Sequence, residues 1–433
     1  MCLPSRPGGT PQLFAPEAKS VPADNPPAGS VALAEPQPPV LTDPLPSEVG
    51  AQALSYDALW DRAPTFALLR EAARLATRWP LEAQSRWSER LRSAGLWSDC
   101  PLIANAQDGA LPLEQRAAAA ATAWDLDRDR RARAVIRCLV PGLDPAQKAR
   151  VAGLLSPAAL ADLDRLPDVW SLTSFFNELD MLEARLSEMA RSVDHFVIVE
   201  AARTFRGDPK PLHFQEHHQR YAKWSAQLDH CVVDLPDDDS ALALEPDREP
   251  WPWELAAPAT WARERYQRNI GYNILRDLGA QGNDLVLLTD LDEIVRSDRV
   301  DAVLEATTTS PVILLMAHYW YNVRWQDPRP WGHAKAFRYG QVPQGRTLHD
   351  IRHSPYPVLH STGWHFSYFG KGADLDMKLS ASSHVEQDTP ERHSAEYQRQ
   401  IVQQGLDLSG RPLLPSCEYF PASLVPLLQA SPA

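Results

Sequence analysis

The chain has 433 residues, 44% of them hydrophobic, and a formal net charge of −13. It is long enough for two domains plus a tail, and the acidic balance argues against nucleic acid or an anionic membrane surface as its main partner. Five cysteines (Cys2, Cys100, Cys138, Cys231, Cys417) lack CxxC spacing, and no apolar run reaches the ~18 residues that span a bilayer.

Residues 1–50 are rich in Pro, Gly, Ala and Ser, with Pro26-Pro27 and Pro38-Pro39 pairs. Such a segment cannot build a core and is expected to be a disordered, polyproline-like tether. It also lacks the basic-then-apolar pattern of a signal peptide. From 51 to 167 Ala, Leu and Arg dominate, and the expectation is a small all-helical module. Ala117–Ala123, interrupted only by Thr122, favours helix. Asp144-Pro145-Ala146-Gln147 supplies an N-cap, a first-position Pro and a capping-box Gln. Ser156-Pro157 opens another helix in the same way. A structural extension is the simplest role for this module; docking or oligomerisation is the alternative.

From 168 to 410 strands and helices alternate, which favours an α/β domain with a mixed sheet flanked by helices. Strands are expected over Val169–Phe176, His195–Glu200, Cys231–Asp234 and Val312–Met316. Helices are expected after Asn177, over Trp261–Leu278 and over Val300–Ala306, with an acidic, Pro-bearing loop at Asp237–Pro250. Residues 411–433 read as a C-terminal tail.

The sharpest local signal is Asn283 to Glu293. A polar start leads into a short apolar run, which ends in Asp290, Asp292 and Glu293. Carboxylates at a strand's C-terminal end stand where open α/β sheets bind ligands. Like charges two residues apart suit a divalent cation such as Mg²⁺ or Mn²⁺ between them. A solvated loop with Asp292 or Glu293 capping the next helix explains the same residues.

Four blocks in order carry a resemblance. Phe176 to Leu186 comes first, and Val193 to Ala201 with Thr204-Phe205 and Lys210-Pro211-Leu212 second. Thr289-Asp290-Leu291-Asp292-Glu293-Ile294 is the third. Gly363-Trp364-His365-Phe366-Ser367 with Lys378 and Ser383-His384-Val385-Glu386 is the fourth. Together they resemble glycosyltransferase family 17, which includes a β-1,4-N-acetylglucosaminyltransferase of protein N-linked glycosylation as well as bacterial members. Gly370-Lys371 departs from the Gly-Gly expected there. The resemblance implies a GT-A-like fold and an inverting transfer of a sugar, N-acetylglucosamine from UDP-GlcNAc being the best-known case, to a glycan or glycoconjugate acceptor. A bacterial, cytoplasmic setting is expected, with peripheral membrane attachment and oligomeric state left open.

Within that frame Asp290, Asp292 and His365 are the candidate ligands of Mn²⁺ or Mg²⁺. Lys378 is a candidate to neutralise phosphate and, with Asp292 and Glu293, the candidate catalytic set. Glu293 is a candidate base, although a first-turn helix position explains it too; Asp374 and Asp376 are weaker candidates. Glu178, Asp180, Glu200, Arg203, Arg265, Asn269 and His384 are candidates for the donor site. Helix capping by Asn177 accounts equally for Asp180, and a solvated helix face for Arg265 and Asn269. Tyr319, Trp320, Tyr321, Trp325 and Trp331 could stack on an acceptor sugar or pack in the core. A metal-dependent hydrolase or phosphodiesterase and a non-catalytic glycan-binding protein remain the alternatives.

Overall fold

The computed structural model describes residues 76–93, 100–236, 252–369 and 372–416, with 418, 420, 421 and 424. The expectations for residues 1–50, for the loop at 237–250 and for Gly370-Lys371 lie outside the described residues. The chain divides near residue 53, and every described residue belongs to the second unit, 54–433.

The described residues between 81 and 165 are helical, as expected for this part of the chain. Its helices are α1 (Leu81–Ser93), α2 (Pro101–Gln107), α3 (Leu113–Asp127), α4 (Arg130–Leu139), α5 (Pro145–Ala152) and α6 (Pro157–Arg165). The alanine run of α3 buries Ala117, Ala119, Ala120, Ala121 and Ala123, so neighbouring helices approach its backbone closely. Trp124, at the end of that face, donates Nε1–H to the Ala159 carbonyl at 2.8 Å. Asp144 and Gln147 form the reciprocal capping box, and the Ser156 hydroxyl accepts from Ala159 N.

Helix α4 joins this module to the α/β part through charge. Arg133, fully buried, reaches Asp168 at 2.8 Å and Asp194 at 3.1 Å; Arg130 also meets Asp194. His195 sits between Asp168 and Asp229, at 3.7 and 3.1 Å, stacked on Trp170 at 3.9 Å. Burial alone would lower its pKa, but the two carboxylates outweigh this and raise it to about 9. Its stabilising charge is therefore fully present below the unfolded value of about 6.5 and is lost as pH rises through about 9. His195→Gln should cost up to about 3 kcal/mol at pH 6 and almost nothing at pH 10, a difference that melting curves at the two pH values will read.

The α/β part runs in order through β1 (Val169–Phe175), α7 (Leu179–Met189), β2 (His195–Ala201), α8 (His213–His217), β3 (Leu228–Val233), α9 (Pro252–Ala256) and α10 (Pro258–Asp277). Then come β4 (Leu285–Leu288), β5 (Glu293–Val295), α11 (Val300–Ala306), β6 (Val312–Leu314), β7 (Met316–Trp320), β8 (Trp325–Trp331) and β9 (Lys335–Arg338). Helix α12 (Leu348–His353), β10 (Val358–Leu359), β11 (Gly363–Ser367), α13 (Gly372–Ala381), α14 (Ala395–Gln404) and β12 (Leu414–Pro415) complete it. One sheet has the order β10-β6-β9-β4-β1-β2-β3; a second has β12-β8-β7-β11-β5. Strands β4, β1, β2 and β3 are parallel, and β9 runs antiparallel to both β4 and β6. The architecture is thus α/β with two mixed sheets flanked by helices.

Three local expectations change. The strand expected over Val312–Met316 divides at Leu315, so β6 joins the first sheet and β7 the second. Asn177 does not cap α7; Glu178 holds that position without a side-chain bond, and Asn177 Nδ2 points at Met377 Sδ, 2.8 Å away. Glu293 opens a buried strand, β5, rather than a helix. That strand pairs with β11 so tightly that a Cβ on Gly363 would stand 2.0 Å from the Ile294 carbonyl oxygen. From 411 onward, Leu414-Pro415 pairs with β8, and Phe420 and Leu424 pack into the same apolar cluster as β11. No helix among the described residues is long and apolar enough to cross a membrane.

Candidate functional site

In the first sheet the chain goes from β1 outward to β2 and β3, then returns to lay β4 on the other side of β1. The carboxyl ends of β1 and β4 therefore flank a crevice, the place where such sheets bind ligands. The residues after β4 make a tight acidic turn. Asp290 N donates to Glu293 Oε2 at 2.7 Å, and Glu293 N returns a bond to the Asp290 carbonyl at 3.0 Å. Phe366 N, from β11, holds the Asp292 carbonyl at 2.9 Å.

Arg185 of α7 secures the turn from behind. It is fully buried and donates to the carbonyls of Asp290 at 3.0 Å and Glu293 at 2.9 Å, to Ser171 Oγ at 2.8 Å, and to Thr289 Oγ1. Burial outweighs the nearby carboxylates and brings its pKa down to about 10, which leaves it charged at neutral pH. Backbone carbonyls so engaged leave the side chains of Asp290 and Asp292 facing the crevice.

Each carboxylate of the turn meets a fixed cation. Arg352 of α12 takes both oxygens of Glu293, at 2.7 and 3.0 Å, and Asp290 Oδ2 at 2.5 Å. Arg268 of α10 stands 3.4 Å from Asp290 Oδ1. Lys378 of α13 donates to Asp292 Oδ2 at 2.8 Å and lies 3.6 Å from Glu178. His365 Nε2 is 3.5 Å from Asp292 Oδ1. Burial would raise the pKa of Asp292, but Lys378 and His365 outweigh it and hold the carboxyl well below the usual range. Burial would lower the pKa of Lys378, but the same pairing with Asp292, then Glu178, outweighs it and holds the ammonium above its ordinary value.

Asp290, Asp292, Glu178, Arg268, His365 and Lys378 line a cleft of about 610 Å³. One half lies over the β1–β4 crevice and carries Phe176, Arg203, Phe205, Lys210, Glu264 and Arg268. The other is built on the second sheet from His318, Trp320, Asp327, Arg329, Trp331 and Tyr368. Parallel pairing of β11 with β7 sets His365 beside His318, their rings 4.7 Å apart, and Trp331 covers His365 at 4.0 Å. Burial and the neighbouring His365 push His318 down to about 3, so it is neutral.

Of the sequence candidates, Asp290, Asp292, His365, Lys378, Glu178, Arg203 and His384 come together on this cleft. The others do not. Glu293 is fully buried behind it, bound to Arg352 and to Trp331 Nε1 at 2.5 Å; burial would raise its pKa, but Arg352 above all brings it to about 2. A carboxylate so sealed cannot take a proton from a substrate. Glu200 is also fully buried, accepting from Phe214 N at 3.1 Å and facing His230 Nε2 at 2.9 Å. Asp180 is exposed and pairs with Arg220. Arg265 turns to Glu254 at 3.1 Å, and Asn269 accepts from His349 N at 2.9 Å. The face of α10 that meets the cleft carries Glu264, Gln267 and Arg268 instead. Asp376 contacts Gln398 and His393, and the side chain of Asp374 lies outside the described residues. Of the aromatic set, Trp320 and Trp331 line the cleft, whereas Tyr319 and Tyr321 are core residues and Trp325 packs on Gly405. Sequence reasoning missed Arg185, Arg268, Arg352 and the His318–Asp327 pair. Arg268, Arg352, His318 and Asp327 are lone residues within helices or strands, with no motif around them, whereas Arg185 stands inside the first family block, Phe176 to Leu186.

Among the described residues no three His, Cys, Asp or Glu side chains gather closely enough to enclose a metal ion. Asp292 and His365 nevertheless present an oxygen and a ring nitrogen 3.5 Å apart on the cleft wall. The Asp290 carboxylate beside them is 42% exposed. A few protein donors completed by phosphate oxygens and water is the usual mode for Mg²⁺-type cations. The Lys378 ammonium on Asp292 already marks this as a place for positive charge. These are the donors available here to a cation that arrives with a phosphorylated ligand.

The family model described as Glycosyltransferase family 17 matches residues 163–421, the whole α/β part and both halves of the cleft. No curated protein matches the chain.

Proposed function

Because the chain belongs to glycosyltransferase family 17 and is a glycosyltransferase by that membership, we propose that it transfers a sugar from a nucleotide-sugar donor to a glycan acceptor, with inversion at the transferred carbon. The observation that carries this reading is the acidic turn at the β1–β4 crevice, with Asp292 and Lys378 paired on the wall of one cleft. We propose a GT-A-like arrangement in which the nucleotide lies over the β1–β4 half and the acceptor over the second sheet.

A divalent cation held by Asp292, His365 and Asp290 would supply Lewis-acid neutralisation of the departing diphosphate. The chain's own cations do the rest. Lys378 can exchange Asp292 for a phosphate oxygen without leaving the cleft, and Arg268 lines the same cleft 3.4 Å from Asp290. Both are ordered before the donor arrives, so little reorganisation accompanies charge build-up on the leaving group. N-Acetylglucosamine from UDP-GlcNAc is the proposed donor chemistry. The hydrolase reading is less well supported, since the described residues lack the dense His and Asp cluster of a two-metal site.

Asp292→Asn tests the reading. Calorimetry should show Mn²⁺-dependent binding of UDP-GlcNAc to the native protein and none to the variant. Equal affinities, with an unchanged melting temperature, would remove Asp292 from the donor site.

A further inference from the structure

At the acceptor end of the cleft stand two arginines that the transfer chemistry does not use. Arg329 lies in β8 and Arg411 in the turn before β12; both line the cleft, and their side chains are 53% and 52% exposed. Arg329 is anchored by one edge, and Arg411 by its Nε, to a buried carboxylate. Asp327, 3% exposed, holds Arg329 Nε and Nη2 at 2.9 and 2.8 Å. Asp407, fully buried, holds Arg411 Nε at 2.5 Å and lies 3.6 Å from Arg329. Asp407 also accepts the backbone N–H groups of Ser409 and Arg411, at 2.8 and 2.9 Å, which fixes the turn.

Among the described residues, Nη1 of Arg329 and both Nη atoms of Arg411 have no hydrogen-bond partner. The four charges cancel formally, but the arrangement does not. The carboxylates are buried behind, while the guanidinium edges remain exposed on the cleft side. A guanidinium already held by one edge loses little freedom when its other edge binds a planar or tetrahedral anion. Beside them Trp320 and Tyr368 stack, with centroids 5.7 Å apart and planes 10° apart, as part of the same cleft wall. An aromatic surface next to two cationic forks suits a sugar that carries a negative charge.

We propose that Arg329 and Arg411 form an acceptor subsite for an anionic group, a carboxylate or a phosphate, so that the acceptor is an acidic glycan or glycosyl phosphate. This rests on the transferase reading of the cleft. The net charge of −13 disfavours anions at long range, so a preference for an anionic acceptor has to come from a built local site.

The test uses the full chain and three probes: p-nitrophenyl β-glucuronide, p-nitrophenyl β-glucoside and p-nitrophenyl phosphate. Affinities are read by ligand-observed NMR with UDP-GlcNAc and Mn²⁺ present. The glucuronide or the phosphate should bind at least about tenfold more tightly than the glucoside, the scale of a charge-assisted hydrogen bond, and whichever is tighter identifies the anion. Arg329→Gln/Arg411→Gln should bring the three affinities together. Arg411→Lys, which keeps the charge and loses the fork, should retain only part of the preference. Equal binding of charged and neutral probes by the native protein overturns the proposal, as does a preference that survives the double substitution. Donor binding is measured separately by calorimetry, so its absence would fall on the transferase reading while the probe comparison still decides the subsite.

Discussion

Lys378→Ala is expected to lower kcat by about 10²-fold or more, the usual effect of deleting one preorganised group aimed at developing charge. Lys378 is fixed before any donor binds, at 2.8 Å from Asp292 and 3.6 Å from Glu178, and it faces the cleft. Its ammonium also lies 5.4 Å from the Tyr368 ring centroid, a further restraint on where it can point. Stability should barely change. Lys378 is partly exposed, and His365 remains beside Asp292, so the loss should be about 1 kcal/mol. Donor turnover and a thermal melt separate the two effects. A kcat within threefold of the native value, or a variant that mainly fails to fold, would show Lys378 to be a structural ion-pair partner.

Arg352 should behave in the opposite way. Its guanidinium is almost wholly buried and is the chief counter-charge for Glu293, which no solvent reaches. Arg352→Met would leave that carboxylate uncompensated and Asp290 without its 2.5 Å contact. Breaking one side of a buried pair typically costs about 3–5 kcal/mol. Urea unfolding should therefore show a loss of that size, and Arg352→Met/Glu293→Gln should recover a large part of it. A single variant that unfolds at the native urea concentration would refute the structural role of the network.

Arg352 and Arg268, placed 62 and 22 residues from Asp290, mark the limit of what the sequence could show. The features set by neighbours along the chain were legible. The Asp144–Gln147 capping box, the α11 helix and the apolar run ending in carboxylates all follow from local pattern, and the structure has them where local rules place them. What depends on a partner far along the chain was not. On α10 the choice of Arg265 and Asn269 missed the cleft by one residue, because one step along a helix rotates the side chain by about 100°. The polar residues on both faces of α10 give no local sign of which face meets ligand. Glu200 stands at the carboxyl end of β2, one residue before Ala201, but the α8 backbone and His230 claim its oxygens. Glu293 read as a helix start because nothing near it reveals that β11 would arrive to pair with it. The four blocks of the family resemblance supplied what local pattern could not, namely that residues 290–293 and 363–386 belong to one site.

Arg185 gives the acidic turn a property that its own residues do not have. Three backbone carbonyls, those of Asp290, Leu291 and Glu293, converge on one nitrogen of an arginine more than a hundred residues earlier, at 2.9–3.3 Å. The Thr-Asp-Leu-Asp-Glu segment is therefore not a portable cassette. Moved alone into another scaffold, it would bring three carboxylates but not the anchor that sets their direction. A transplant must include α7, with Ser171 of β1 to orient the guanidinium, before the grafted turn can present the same face to a ligand.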